Sequence, residues 1–382
     1  MPGSSGASTN WPRSWATAEL SQRAALLADA AAAIRPEDLA AAADRELRRR
    51  LDRFLTGIER YRHHPYRRSL PDMPAVWSEG TTRLLDYAPG TDAPAVLFVP
   101  SLVNRGYILD LSERKSLLRY LAGQGLRPLL IDWDRPGPTE RGYDLDRYVG
   151  RLGRALDAAL PLNGGRPVPV VGYCMGGTIA MALAQSEPER VGALVAMAAP
   201  WDFHAERAAE ARRAAGVYSV MAPWVKQWGE MPTDLVQFFF ALLDPMLAAK
   251  KFAGFAGMAP DSEKARDFVA LEDWLNDGVP LAAPVADEAL AGWYGRNAPA
   301  CGNWRVGGQA VDPRRIGQAA LLLIPANDRI VPPASAAAAG IGMARAERRE
   351  VPLGHIGMIV AGGAPAGLWA PLAAWLRGQA QG

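Results

Sequence analysis

The chain has 382 residues, 49% of them hydrophobic, and its 42 Lys and Arg residues against 40 Asp and Glu residues leave a formal net charge of +2. This balance gives no broad basic surface, so we expect no nucleic-acid partner. Because the only cysteines are Cys174 and Cys301, we expect neither a disulfide framework nor a metal site, and a cytoplasmic location is favoured.

The first 15 residues are small and polar, and we expect a mobile tail without the apolar run of a secretory signal. From residue 16 to about 61 the pattern is helical, because apolar residues recur at spacings of three and four among arginines. This basic segment is either a solvated face or a docking surface for a partner, a polymer or a lipid. No segment is apolar over the roughly 18 residues that a membrane span needs. The apolar positions are Leu47, Leu51, Phe54, Leu55 and Ile58.

Strand-like and helical segments then alternate, which predicts a mostly parallel central sheet flanked by helices on both faces. The predicted strands are 96–99, 128–131, 168–171, 193–196, 319–324 and 349–351. The predicted helices are 112–124, 143–160, the segment after residue 174, and 368–376.

The composition changes after Trp201. Six of the twelve tryptophans lie from Trp201 to Trp304, together with three consecutive phenylalanines that begin at Phe238. With few strand patterns, this part is interpreted as an inserted helical cap, whose aromatic residues either pack a core or line an acyl tunnel. The predicted organisation is an N-terminal tail and helical segment, a core in two parts, and the cap between them. The N-terminal tail and helical segment is residues 1–75. The core is residues 76–202 and 313–382, and the cap is residues 203–312.

A G-Y-C-M-G-G motif at 172–177 follows the apolar run 168–171. This spacing is typical of a nucleophile elbow, a strained turn between strand and helix that exposes the nucleophile, with cysteine in place of serine. Glycine two residues before and two residues after the nucleophile leaves room for close packing, and Gly172 and Gly176 occupy those places. The start of the following helix favours a thiolate. Cys174 is therefore the candidate nucleophile.

A thiol of ordinary pKa, about 8.5, needs a base at neutral pH. Among the four histidines, His355 lies in a glycine-flanked turn after the predicted strand 349–351, which suits a loop over an active site. Asp328 follows strand 319–324 and could accept the imidazole N–H and fix its tautomer. The order nucleophile, acid, histidine is the one expected for an α/β-hydrolase fold.

An oxyanion hole requires two backbone donors. We expect one to be the N–H of Met175, directly after the nucleophile. The other should come from the loop that follows strand 96–99, where the candidates are Val103 and Leu102 and Val103 is preferred.

The residues taken together resemble the polyhydroxyalkanoate synthase family, whose members have a cysteine elbow of the form GxCxGG on an α/β-hydrolase fold. Further similar stretches include VPSLVNRGYILDL, FFFALLDPMLAAKKF and ANDRIVP, and the similarity runs from about Glu59 to about Val360. The resemblance implies that Cys174 is the acylated nucleophile, Asp328 the triad aspartate and His355 the base. Many members have histidine after the triad aspartate, where this chain has Arg329.

By resemblance, the substrate is a 3-hydroxyacyl-CoA, whose acyl group is loaded on cysteine and added to a growing polyester with release of CoA. No cofactor is implied beyond the CoA thioester. Dimers and association with polymer granules are implied, and the short N-terminal part resembles members that work with a second subunit. Two alternatives remain: a thioesterase or esterase that uses the same triad, and a catalytically silent granule-associated protein.

Overall fold

An eight-stranded sheet lies at the centre of this computed structural model, which describes residues 18–242 and 246–380; the predicted tail lies outside them. The described strands are β1 (Ala75–Glu79), β2 (Thr82–Asp86), β3 (Ala95–Val99), β4 (Asp110–Ser112), β5 (Lys115–Ser116), β6 (Arg127–Asp132), β7 (Val168–Tyr173), β8 (Val191–Met197), β9 (Glu230–Met231), β10 (Leu281–Ala282), β11 (Arg305–Val306), β12 (Gln309–Ala310), β13 (Ala319–Pro325) and β14 (Ala346–Val351).

The helices follow the same order along the described chain. They are α1 (Ala18–Ala32), α2 (Pro36–Arg62), α3 (Leu117–Gly123), α4 (Leu145–Leu162), α5 (Met175–Ser186), α6 (Ala208–Trp228), α7 (Thr233–Ala241), α8 (Leu247–Phe255), α9 (Glu263–Asn276), α10 (Ala283–Asp287), α11 (Pro333–Ala338), α12 (Gly357–Val360) and α13 (Ala370–Ala380). Short 3-10 or π segments are Gly106–Leu109, Glu140–Gly142, Glu288–Gly295, Pro313–Arg315 and Pro365–Trp369. Among the described residues, no helix combines the length and the apolar character needed to cross a bilayer.

The large sheet has the strand order β1-β2-β6-β3-β7-β8-β13-β14. Only β2 runs against the other seven strands of this sheet, because it pairs antiparallel with both β1 and β6 while the remaining pairs are parallel. The predicted mostly parallel sheet is confirmed. Its central strands are continuous apolar runs because both faces of the sheet are covered.

Alternate residues of the strands feed two separate cores. In β3, Leu97 and Val99 belong to the core shared with α4 and α5, whereas Val96 and Phe98 belong to the core shared with α3, α12 and α13. Successive side chains of a strand point to opposite faces, so two layers of helices are needed to bury them. The predicted helices on both faces are confirmed.

The predicted helix 112–124 is wrong in its first half. Asp110–Ser112 pairs with Lys115–Ser116 as a short antiparallel pair, and the helix begins only at Leu117. Ser116 caps it by accepting a hydrogen bond from the N–H of Arg119 at 3.0 Å. A serine in this position satisfies one of the free N–H groups of the first turn of the helix. The cap at Ser116 therefore favours a helix that begins at Leu117 over one that begins at Ser112.

Residues 18–64 form one structural unit with residues 248–259, and the rest of the described chain forms the other. In the smaller unit the rings of Phe54 and Tyr61 contact Phe252 at centroid distances of 6.3 and 5.7 Å. The helical pattern of the basic segment is confirmed, with a break before Pro36, which lacks the N–H to continue a helix. The leucines of the pattern in α2 are more than half exposed, namely Leu47, Leu51 and Leu55. The four-part division predicted from the sequence stays a prediction.

Four aromatic side chains of the larger unit pack together as a buried cluster. Trp304 lies 6.2 Å from Trp201 and 5.1 Å from Trp293, and Phe203 lies 5.4 Å from Trp293, between ring centroids. All four are buried, so they form a core, whereas Phe238 and its second neighbour are exposed. Edge-on contacts of this kind stabilise a core beyond the area they bury.

Glu288 links the Glu288–Gly295 segment to the start of α4, where its Oε1 accepts a hydrogen bond from the N–H of Leu145 at 3.0 Å. Burial raises the pKa of Glu288 to about 7; the hydrogen bond from Leu145 lowers it and the nearby carboxylates of Asp144, Asp146 and Asp287 raise it. In the unfolded chain the same group ionises at its ordinary pKa of 4.5. The folded state therefore gains stability from this group below pH 4.5 and loses it as the pH rises through about 7.

We expect Glu288→Gln to reduce the pH dependence of the stability of the folded state. Between pH 7 and pH 5 the melting temperature of the wild type should rise by about 2 to 4 °C more than that of the variant, the shift that roughly 1 kcal/mol produces in a large domain. Thermal melts across that range measure the difference. Parallel curves for the two proteins would contradict the assigned pKa.

Candidate active site

Cys174 lies at the turn between β7 and α5, and its backbone is strained, with φ 55° and ψ −128°. The positive φ is costly for a residue with a side chain and persists where the surrounding structure enforces it. A Cβ atom on Gly172 would collide with the backbone of Gly177, and one on Gly176 would collide with the carbonyl of Val99. Both glycines are therefore required for the turn, which holds a half-buried thiol beyond the strand end.

Asp328 follows β13 and is held by its own turn. Its Oδ1 accepts hydrogen bonds from the N–H groups of Ile330 and Val331 at 2.8 and 2.9 Å, while its Oδ2 lies 2.6 Å from Nδ1 of His355. The aspartate thus serves both as a turn residue and as the partner of the imidazole. Backbone donors on one oxygen fix the direction in which the other points.

His355 lies between β14 and α12 and is only 8% exposed. Since Nδ1 donates to the carboxylate of Asp328, the opposite nitrogen is available for Cys174, whose side chain lies close enough to affect the pKa of the imidazole. Burial lowers the pKa of His355, but the negative charge of Cys174 and the hydrogen bonds to Asp328 and Cys174 outweigh it and raise the pKa to about 10. The structure therefore brings the three predicted side chains together, with His355 adjacent to both Cys174 and Asp328.

The predicted oxyanion donors lie in the expected elements. Met175 is the first residue of α5, and the first N–H groups of a helix have no acceptor within the helix. Val103 lies in the loop after β3, but its N–H donates to the Oγ of Ser101 at 3.2 Å. This local bond must open before Val103 can donate to a substrate, so the choice between Val103 and Leu102 stays a prediction.

The loop that carries Val103 is fixed on two sides. Arg105 forms ion pairs of 2.9 Å with Asp134 after β6 and with Asp277 after α9. Its carbonyl accepts a hydrogen bond from Nε1 of Trp274 at 2.8 Å, and Nε1 of Trp133 donates to the carbonyl of Pro100 at 3.1 Å. The loop is therefore held in place at both ends.

Two tyrosines near the site were not predicted from the sequence. The hydroxyl of Tyr173 donates to the carbonyl of His355 at 3.1 Å. Tyr294 is a second, partly buried tyrosine: desolvation raises its pKa to about 12, and the charges of Cys174 and Asp328 add to that effect. A buried tyrosine hydroxyl usually has a hydrogen-bond partner. The position of Tyr173 at the end of a fully apolar strand, directly before Cys174, is therefore a sequence signal for a hydrogen bond near the site.

The other histidine of the larger unit, His204, and the residue after the aspartate, Arg329, have structural contacts. His204, which precedes the acid in the chain, has its Nε2 at 2.9 Å from the carbonyl oxygen of Tyr294. The carbonyl of Arg329, directly after Asp328, accepts a hydrogen bond from Arg207 at 3.0 Å. The first contact engages the imidazole of His204, and the second engages the backbone of Arg329.

Comparison with known proteins decides the family. Residues 94–361 match the family model of the alpha/beta hydrolase fold. The chain is 30% identical over 322 residues to the poly(3-hydroxyalkanoate) polymerase subunit PhaC of Haloarcula marismortui, which covers 80% of this chain and 68% of the relative. The subunit of the same name from Allochromatium vinosum is also 30% identical over 322 residues, covering 79% of this chain and 87% of the relative. The chain belongs to the poly(3-hydroxyalkanoate) polymerase family.

The predicted family, fold class and enzyme class, an acyltransferase of the polymerase type, are confirmed by these relatives. Among solved structures, that of DcsB in complex with its substrate analogue is similar, with a TM-score of 0.52 and 16% identity, covering 79% of this chain and 95% of the other. A likeness at that identity supports the fold alone. Membership of the polymerase family therefore rests on the sequence relatives.

Proposed function

We propose that this protein transfers 3-hydroxyacyl groups from CoA to a growing polyester through a thioester on Cys174. The observation that carries the proposal is the placement of Cys174, at a strained elbow, beside a His355 that is hydrogen-bonded to Asp328, in a member of the polymerase family. The names of the relatives, which are polymerases of 3-hydroxyalkanoates, support the choice of acyl group.

In the first half-reaction, His355 takes the proton of the Cys174 thiol, and the thiolate attacks the thioester carbonyl of the substrate. The oxyanion of the tetrahedral intermediate would be stabilised by the N–H of Met175 and by one amide of the loop after β3. His355 then returns the proton to the sulfur of CoA as it leaves. Asp328 keeps the imidazole in the required tautomer and stabilises its positive charge.

In the second half-reaction, the hydroxyl of another 3-hydroxyacyl group attacks the Cys174 thioester, and His355 takes the hydroxyl proton. An oxoester forms and the thiol of Cys174 is regenerated. Exchange of one thioester for another is nearly balanced, whereas an oxoester is more stable, so cysteine keeps the acyl group activated until the acceptor arrives. Exclusion of water by the cap would favour the alcohol over hydrolysis. The CoA thioester supplies the activation, so the proposed chemistry needs no cofactor.

The proposal extends to partners and location. A second synthase subunit or a homodimer is proposed, and the word subunit in the names of the relatives supports the former. A cytoplasmic protein at the surface of polymer granules is proposed as the working location, because the product is insoluble. These points follow from the proposed activity.

The purified protein should release CoA from 3-hydroxybutyryl-CoA and form polyester, alone or with an added synthase subunit. A thiol assay for CoA combined with size analysis of the product measures both. Release of CoA with only free hydroxy acid would identify a thioesterase instead. Absence of CoA release under all these conditions would favour a catalytically silent protein.

A further inference from the structure

Tyr173, the residue directly before Cys174, supports the base through two separate contacts. Its hydroxyl donates a hydrogen bond to the carbonyl oxygen of His355 at 3.1 Å, and the centroids of the two rings are 5.3 Å apart with a tilt of 33°. Both side chains are buried. The end of β7 thus carries the nucleophile and also a group that fixes the position of the base.

The segment that carries His355 needs such support. His355 and Ile356 are flanked by Gly354 and Gly357, and glycine allows more backbone conformations than other residues. The hydrogen bond from Nδ1 to Asp328 fixes one end of the imidazole, but one hydrogen bond does not by itself determine the tilt of the ring. The Tyr173 hydroxyl holds the backbone of His355, and the adjacent phenol ring restricts the tilt of the imidazole.

The phenol is suited to act as a permanent donor. Burial raises the pKa of Tyr173 well above its ordinary value, and the charges of Cys174 and Asp328 raise it further. The hydroxyl therefore keeps its proton throughout the neutral range. A ring face close to an imidazolium also stabilises its positive charge.

We propose that Tyr173 is a positioning residue that holds His355 at the distance and tilt required for proton exchange with Cys174. It acts through the base and needs no contact with the substrate. The inference rests on the proposed roles of Cys174 and His355, and its test is therefore a reaction that requires no acyl-CoA.

The test compares Tyr173→Phe with its parent, both carrying Cys301→Ser so that only Cys174 can react with iodoacetamide. Tyr173→Phe removes one oxygen and keeps the buried ring. Tyr218→Phe is the matched control, because Tyr218 is a buried tyrosine whose hydroxyl contacts Asp287 at 3.4 Å. Alkylation rates are measured from pH 6 to pH 10, and melting temperatures establish that each variant is folded.

We expect Tyr173→Phe to alkylate about 3- to 10-fold more slowly than the parent at pH 7, the range that loss of one buried hydrogen bond produces. Above about pH 9, where an isolated thiol is itself mostly ionised, the rates should converge. Tyr218→Phe should match the parent throughout. In the CoA-release assay, Tyr173→Phe should lower kcat and leave KM unchanged.

Three results would overturn the inference. Tyr173→Phe could react as fast as the parent at pH 7, or it could be slower by one constant factor at every pH, which would indicate altered access to the thiol. The control could also slow to the same extent. Failure of the proposed function is a distinct outcome, since the parent would then form no product from acyl-CoA whatever its alkylation profile.

Discussion

Replacing Cys174 by alanine is expected to lower the rate of CoA release by at least about 10³-fold, the scale of loss when a triad nucleophile is removed. Alanine leaves the elbow glycines and the partly buried site unchanged, so folding should persist. CoA release from 3-hydroxybutyryl-CoA, measured with a thiol reagent, gives the rate. Circular dichroism and a melting curve establish that the variant is folded.

The other cysteine provides the matched control. Cys301 is exposed in a turn, so Cys301→Ser should keep wild-type activity. Cys174→Ser tests the nucleophile more finely, because a hydroxyl is far harder to ionise than a thiol and should restore little of the lost rate. Comparable activity in Cys174→Ala and the wild type would exclude this cysteine as the nucleophile.

Asp328→Asn is expected to reduce CoA release by roughly 10³- to 10⁴-fold while leaving substrate binding nearly intact. An asparagine amide could accept the same hydrogen bond only through its oxygen, and it supplies no negative charge for the imidazolium. The hydrogen bonds from Ile330 and Val331 to Oδ1 can be kept by an amide oxygen, but that leaves the amide nitrogen facing His355. Steady-state kinetics with a KM and kcat comparison measure the loss.

The same variant has an expected signature in stability. The pKa of His355 is raised from 6.5 to about 10, and this shift stabilises the folded state. The stabilisation has its full size below pH 6.5 and is lost as the pH rises through about 10. Asp328→Asn lowers that pKa toward its ordinary value. The stability difference between wild type and variant should therefore narrow as the pH is raised toward 10. A difference that grows with pH would contradict the assigned charge of His355.

The sequence predicted the central strands well for a simple reason. β3, β7, β8 and β13 are apolar on both faces, and a short continuous apolar run between turns is typical of a buried parallel strand. β1 and β2 were missed, because they are short strands with several polar or exposed residues at one edge of the sheet. β2 pairs with β6 and β1 pairs with β2, and no local pattern in the sequence reveals these pairings.

The three triad residues could be predicted from the sequence, but their tertiary contacts could not. The elbow motif identifies Cys174 because its glycines are forced by backbone contacts within a few residues and with β3. Asp328 and His355 could be selected by their order along the chain and their positions after strands. The contact of Tyr173 with the carbonyl of His355 joins residues 182 positions apart, and the Val103 amide is occupied by a local serine. Such details depend on tertiary packing and on a competing local hydrogen bond.

The most direct test is to find where the acyl group is attached during turnover. The enzyme is mixed with a small excess of 3-hydroxybutyryl-CoA, quenched in acid and digested, and the peptides are analysed by mass spectrometry. We expect one hydroxyacyl group on the peptide that contains Cys174, removable by neutral hydroxylamine as a thioester is, and absent from Cys174→Ala. CoA release without any adduct on that peptide, or with the adduct on another residue, would contradict a cysteine-linked mechanism.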